Sequence, residues 1–441
     1  MGKSLVRLTQ NKQSHSMIST LTDKLKSKDV KVLASNYSFM FFIEMSNYIL
    51  PFLVIPYIVR VVGVEKYGIV VFATTVMVFF ELLTSYGFRL LAPKFVSMNR
   101  DDKEKLSKYY WAVIITQLLL LLLSVSIFLP LLFIVEKFSL ESTIFLFSFI
   151  KVLASVLFPV WFFQGIEKMK FIAIFNFLSR LSYTLAVILL VKEASDYTLI
   201  PLLNSLSFLT VALVSMYFIR RNFGIKFYTA TFYEVKSLLI EGWHIFISRI
   251  SLVLYSTANI MLLGFLADYT FVGMLSIATT ISVAVTTIVS LISTITYPYL
   301  AKFVDTKNIL IQKARRLLKL YSVASVAAGL LTFTVASTLI PLMYGTGKEY
   351  SILLLQILAV VVVLQPFGTF FTNFLVLKDE TKTISKITFY TMIVNAILIV
   401  PAILYYQALG LVVVMIVTQL FQVGMNIKYN KELVFNPEGV K

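Results

Sequence analysis

The chain contains no cysteine, which excludes disulfides, thiolate catalysis and cysteine-held metals. Its two histidines, His15 and His244, stand far apart and make no metal-ligand spacing. Charge is scarce, at 14% of 441 residues, and lopsided: 39 Lys and Arg against 22 Asp and Glu, a net +17. No nucleophile triad occurs, and no polar stretch is long enough for a soluble catalytic domain, so the chain reads as a non-enzyme whose ATP engine, if it uses one, is another protein. Gly345-Thr346-Gly347-Lys348 looks like a phosphate loop but lacks the earlier glycine and the trailing Ser or Thr, and reads as a turn. Residues 1–33 are basic and lack the apolar core of a signal peptide, so the first apolar span is expected to act as an uncleaved anchor.

What is present is apolar surface. Hydrophobic residues make up 59% of the chain and the mean hydropathy is +0.87, against about 45–50% apolar in soluble domains. Lipid must be the solvent for much of this surface. A helix needs ~20 apolar residues to cross the hydrocarbon core, and the sequence offers about twelve such runs: 34–61, 67–93, 109–135, 142–164, 170–191, 197–219, 242–265, 271–300, 317–343, 350–376, 386–406 and 408–428. They are continuous rather than alternating, which argues for helices and against a barrel. The expected fold is an all-α polytopic membrane protein.

Basic residues sort the loops. Counted by side, span ends included, the arm before the first span, the loops after even-numbered spans and the tail hold 30 Lys and Arg; the opposite side holds five, Arg60, Lys66, Lys137, Lys192 and Lys348. The positive-inside rule then places both termini in the cytoplasm. Contact of the basic loops with an anionic inner leaflet, not nucleic acid, accounts for the net charge. The expected organisation is a basic arm 1–33, a first six-helix bundle 34–219, an amphipathic linker 220–241, a second bundle 242–428 and a tail 429–441. Ile18, Leu21 and Leu25 among the arm's lysines fit either an amphipathic surface helix or a disordered basic tail. The halves echo each other: Tyr67-Gly68 with Ala73 against Val272-Gly273 with Ala278, and Leu91-Ala92-Pro93-Lys94-Phe95 against Leu300-Ala301-Lys302-Phe303. Two six-span halves share one topology, as in parallel repeats with a path between them. Pro51 and Pro56 in the first span mark it as a helix expected to bend during gating.

Four cations remain inside spans, Arg89, Lys151, Arg180 and Arg249, with two acids, Glu44 and Glu81. A cation at mid-helix costs ~2.5–3.5 kcal/mol on insertion scales, so such a residue faces a watery cavity or pairs with a countercharge. Arg89 is also near enough to a span end to snorkel. Four cations exceed two acids, which leaves a positive interior suited to an anionic, phosphate-bearing passenger. A carboxylate in a low-dielectric site has a raised pKa and can carry a proton, so Glu44 and Glu81 are candidates for H+ or Na+ coupling; a structural partner role is the alternative. No other cofactor or metal is expected.

Several motifs then resemble those of a known family. Asn47-Tyr48-Ile49-Leu50-Pro51, Ile55-Pro56-Tyr57-Ile58-Val59-Arg60-Val61-Val62-Gly63, Tyr86-Gly87-Phe88, Pro159-Val160-Trp161-Phe162-Phe163-Gln164-Gly165 and Gly242-Trp243-His244-Ile245-Phe246-Ile247-Ser248 together resemble the Wzx-type O-antigen flippases. Ser85 departs from the pattern, in which an acid often precedes Tyr-Gly-Phe. The resemblance implies a V-shaped, MATE-like pair of six-helix bundles in the bacterial inner membrane. It implies a lipid-linked oligosaccharide on undecaprenyl pyrophosphate as passenger, moved from the cytoplasmic to the periplasmic leaflet, with a polysaccharide polymerase and a chain-length regulator as partners. By position, Arg89, Lys151, Arg180 and Arg249, with Arg60 of the motif itself, match the family's cationic cavity residues. The competing readings are a cation-coupled drug exporter of the same fold, which would favour acidic cavity residues, and a lipid II-type flippase. A membrane-embedded glycosyltransferase or polymerase would need acidic motifs or large outer loops, and the outer loops here are short.

Overall fold

In the computed structural model the described backbone covers residues 28–434, and side chains are described from residue 50 apart from 251, 252, 254–256 and 294. The arm's expected surface helix and the side chain of Glu44 lie outside the described residues. The described residues are mostly helical, with no strand among them: α1 Lys28–Ser85, α2 Phe88–Met98, α3 Lys103–Ile134, α4 Glu136–Leu140, α5 Ser142–Leu157, α6 Val160–Gly165, α7 Met169–Leu190, a 3-10 turn Ala194–Thr198, α8 Leu199–Phe223, α9 Phe232–Leu266, α10 Tyr269–Ala301, α11 Lys307–Tyr344, α12 Glu349–Leu377, α13 Thr381–Tyr429 and α14 Lys431–Val434. Nine helices among the described residues are long and apolar enough to cross a membrane. Two of these contain a residue outside helical geometry, Gly63 (φ 84°, ψ 167°) in α1 and Gln407 (φ 51°, ψ −129°) in α13. At Gln407 the chain folds back: a Cβ on Gly410 would lie 2.0 Å from the carbonyl oxygen of Ala402. Backbone stays helical through Pro51 and Pro56, and the break falls at Gly63.

Local chemistry explains where the helices begin and end. Asp102 caps α3, its side chain accepting from the Lys105 amide at 3.0 Å. α9 opens on a capping box: Thr231 accepts from the Glu234 amide, and the Glu234 carboxylate accepts from the Thr231 amide at 2.7 Å. This box starts α9 at Phe232, ten residues earlier than its apolar run, and takes over much of the expected 220–241 linker. Gly224, in the left-handed region at φ 67°, ends α8. α11 likewise begins at Lys307, because its basic first turns are helical before they are apolar.

The two halves meet at the lysine-poor end through a close approach of their backbones. A Cβ on Gly68 would lie 1.9 Å from the Tyr269 carbonyl oxygen, and one on Gly273 would lie 2.1 Å from that of Val64. The contact is reciprocal, and it joins the two glycines of the sequence echo. In lipid, helices gain little hydrophobic energy by associating, so small residues that allow close approach set the crossing. Beside it Phe72, fully buried, meets Phe265 edge-on at 5.0 Å and Tyr269 at 5.7 Å. Two cations of the first half cap helix ends of the second. Arg60 donates to the carbonyl oxygens of Met343, at 2.8 Å, and Leu342. Lys137 donates to those of Gly264 and Ala267, both at 2.8 Å, as suits cations at helix C-termini. Burial pulls the Lys137 ammonium below its ordinary value, with Asp268 opposing.

At the basic end, α9 leans on the first half. The Tyr86 hydroxyl donates to the Leu239 carbonyl at 3.1 Å, and its ring stacks on Phe246 at 4.6 Å. Gly242 gives the ring its room, since a Cβ there would lie 2.8 Å from Tyr86. The short α14 closes the far side: Glu432 bridges Lys378 at 2.7 Å and Lys307 at 3.3 Å, while Leu433 is buried.

Candidate functional site

Two helices of the first half are interrupted near their basic ends, and the interruptions shape a site. After α1 the chain turns at Tyr86, whose φ of 52° is left-handed, and Gly87, before α2 restarts. α5 stops at Leu157, and Phe158-Pro159 separate it from α6. Proline cannot donate to the helix ladder, so this break is written into the sequence.

Around these breaks lies a first cavity of about 140 Å³, lined by Glu81, Arg89, Gln117, Ser155, Trp161 and Arg249 among others. A second, of about 370 Å³, is lined by Pro51, Lys151, Asn176, Arg180, Tyr183 and Asn204 among others. The Lys151 ammonium stands 3.2 Å from Glu81 Oε1, so an ion pair joins the two walls. The pair is only partly shielded, with side chains 35% and 26% exposed. Arg89 follows the break directly, in the first turn of α2, where unpaired helix amides also favour an anion. Arg89 lies within electrostatic reach of Glu81 and Arg249.

All four in-span cations foreseen in the sequence therefore line these two cavities, with Glu81 as the single acid among the lining residues. They come from α2, α5, α7 and α9. Every lining residue up to Phe208 belongs to the first half, and only α9 adds to it. This differs from a cleft shared evenly between halves: the helices after α9 contribute no cation to these cavities. Arg60 lines neither cavity and sits at the opposite end as a helix cap. Pro51 lines the second cavity, and Pro56 does not.

The neutral polar lining was not singled out in the sequence. Gln117 donates to the Thr84 carbonyl at 3.3 Å while its side-chain oxygen has no hydrogen-bond partner among the described residues. Asn176 donates to its own helix at Ile172, and Ser179, Thr184 and Asn204 stand nearby. The signal available was one amide within an apolar run, as in Phe175-Asn176-Phe177 and Leu203-Asn204-Ser205. Together the walls offer charge-assisted donors for phosphate and uncharged donors and acceptors for hydroxyl groups.

The long paired helices, the interrupted spans and the cationic interior define a multi-pass membrane protein of the MATE-like transporter fold. The chain covers 90% of its length on a structure titled "Lipid II flippase MurJ, inward closed conformation", with 87% of that chain matched, a TM-score of 0.70 and 16% identity. An inward-facing multidrug resistance MATE family transporter of the MOP superfamily matches over 86% of this chain and 93% of its own, at TM-score 0.60 and 16% identity. These likenesses establish the fold. The family model described as "Polysaccharide biosynthesis protein" matches residues 33–304, and the chain belongs to that family. A relative in Escherichia coli (strain K12), described as "Putative O-antigen transporter", is 27% identical over 91% of this chain and 98% of its own. A second with the same description, from Shigella dysenteriae, is 25% identical over 90% of this chain and 99% of its own.

Proposed function

We propose that the protein is a flippase for an undecaprenyl-pyrophosphate-linked oligosaccharide, an O-antigen or similar surface-polysaccharide repeat unit. The observation that carries this reading is the gathering of Arg89, Lys151, Arg180 and Arg249 around two cavities with one acid between them. The sugar and pyrophosphate cannot cross hydrocarbon unaided, because each unpaired polar group costs kcal/mol. Cations would hold the pyrophosphate, neutral amides and hydroxyls the sugar, while the lipid tail stays in the bilayer. The basic end faces the cytoplasm, with both termini there, and rocking of the halves switches the open side. A four-to-one excess of cations over acids in the lining disfavours a drug cation as passenger; a lipid II-type passenger would use the same chemistry and a different sugar. The polymerase and chain-length regulator of the pathway would take over the delivered unit.

The test is surface-polysaccharide display in a flippase-null bacterium that makes the matching glycan. Rescue by the wild-type chain and loss with Lys151→Ala, Arg180→Ala or Arg249→Ala at matched expression supports the reading. Failure of properly inserted wild type to rescue overturns it. A second element of the proposal is proton coupling through Glu81, the one acid among the residues that line the two cavities. Glu81→Gln should then flatten the pH dependence of transport; an unchanged profile removes Glu81 from coupling.

A further inference from the structure

A third recess lies apart from the two cavities and shares no residue with them. It is a groove of about 800 Å³ lined by Trp111 of α3, by Leu213, Met216, Tyr217, Arg220 and Arg221 of α8, and by the segment that follows. Its shape comes from a local reversal. Arg220 and Arg221 occupy the last turn of α8, and left-handed Gly224 turns the chain back. The Lys226 amide then donates to Ser107 Oγ at 3.0 Å, tying the returning segment to α3. Ile225 is thereby buried, while Lys226 and Phe227 are left exposed beside Arg220 and Arg221. The Phe227 ring meets Trp111 edge-on at 4.7 Å. Arg221 donates to the Tyr217 hydroxyl at 2.9 Å, which ties two lining side chains of α8 together.

Chemistry changes in order along the groove. Leu213 and Met216 are apolar, Tyr217 and the Trp111–Phe227 pair are amphipathic or aromatic, and Arg220, Arg221 and Lys226 are cationic. From Leu213 to Arg220 this takes about 10 Å of helix. No carboxylate lines the groove. The sequence of apolar, interfacial and cationic matches that of acyl chain, glycerol and phosphate in a phospholipid lying at the basic end, where interfacial aromatics and clustered cations are expected to meet headgroups. Arginine also suits bidentate contact with a phosphate.

We propose that this groove is a binding site for an anionic phospholipid, its phosphate held by Arg220, Arg221 and Lys226 and its chains lying along Leu213 and Met216. The site does not depend on the proposed passenger, because none of its residues lines the two cation cavities. A soluble phosphate would engage only the cationic rim, and the apolar half of the groove would be unused.

The experiment is native mass spectrometry of the full-length protein in mild detergent, titrated with cardiolipin, phosphatidylglycerol or phosphatidylethanolamine. Wild type should retain cardiolipin and phosphatidylglycerol over phosphatidylethanolamine. Each cation near a headgroup contributes roughly fivefold, so Arg220→Gln/Arg221→Gln/Lys226→Gln should weaken retention about one hundredfold. Arg220→Lys/Arg221→Lys, which keeps the charge, should retain most of it and guards against loss through misfolding. Arg316→Gln/Lys319→Gln, at basic positions on α11, should leave retention unchanged. Equal retention of all three lipids, or undiminished retention in the triple variant, overturns the proposal. Displacement of cardiolipin by millimolar inorganic phosphate would also overturn it, by showing a rim that takes phosphate without lipid.

Discussion

The Lys151–Glu81 pair offers a way to separate a passenger contact from a structural one. At 3.2 Å and an effective dielectric of about 20, the Coulomb attraction is about 5 kcal/mol. Both side chains remain partly exposed in the cavity walls, and solvent screening with desolvation reduces the net worth to about 1–3 kcal/mol. Lys151→Met leaves Glu81 facing the cavity without its ammonium, and Glu81→Gln does the converse. Each single variant should lower the melting temperature of the purified protein by a few degrees, and the double variant should recover part of that loss. Polysaccharide display should not follow stability. If Lys151 holds the passenger's phosphate, Lys151→Met/Glu81→Gln stays inactive although it is again stable. Wild-type display by the double variant would refute the reasoning, since it would reduce the pair to a mutual neutralisation within the walls.

Other consequences are equally direct. Arg60→Ala or Lys137→Ala removes a cap that ties the halves together at the lysine-poor end; single cysteines placed beside Tyr269 should then label several-fold faster, and the absence of native cysteine makes that readout free of background. Gly68→Val adds a side chain whose Cβ alone would lie 1.9 Å from a carbonyl oxygen; overpacking costs about 1–3 kcal/mol, so the same label should report opening with reduced thermal stability. Glu432 loses solvent on docking, yet Lys378 first and then Lys307 hold its carboxyl below the ordinary value of 4.5. A carboxylate with a lowered folded pKa contributes fully above about pH 4.5 and loses that contribution as pH falls through the folded value. Protease cleavage beside α14 should therefore rise below that pH, and Glu432→Gln should show the raised cleavage at neutral pH.

Much of this arrangement was legible in the sequence. Arg89, Lys151, Arg180 and Arg249 stood out because insertion in lipid penalises charge one residue at a time, so each survivor signals a site without any knowledge of its neighbours. The echoes around Gly68 and Gly273 were read as a sign of repeated halves, and the structure shows in addition that these glycines form the crossing, since in lipid small residues allow close backbone approach. Three features were hidden. The assignment of Arg60 to a cavity followed a motif, whereas its partners, the carbonyls of Leu342 and Met343, are backbone groups from the distant second half. The early start of α9 rested on Thr231 and Glu234, a cap that hydropathy ignores. The gathering of all four cations in the first half and α9 depends on which helix faces turn inward, and apolar spans surrounded by lipid show little periodicity to reveal it.

The Gly68–Gly273 crossing also sets where the molecule can hinge. It lies four residues after the start of α10, whose far end is Ala301, so about 42 Å of helix extends beyond it toward the basic end. Two backbones in contact without side chains between them form a fulcrum, and the arms on its two sides are very unequal. A rotation of about 10° there moves the long arm by about 7 Å at its tip, enough to admit a sugar ring, while the short arm hardly shifts. Opening at the basic end leaves the Arg60 and Lys137 caps in place and has to part the Tyr86 contacts to Leu239 and Phe246 described above; opening at the other end must break the caps first.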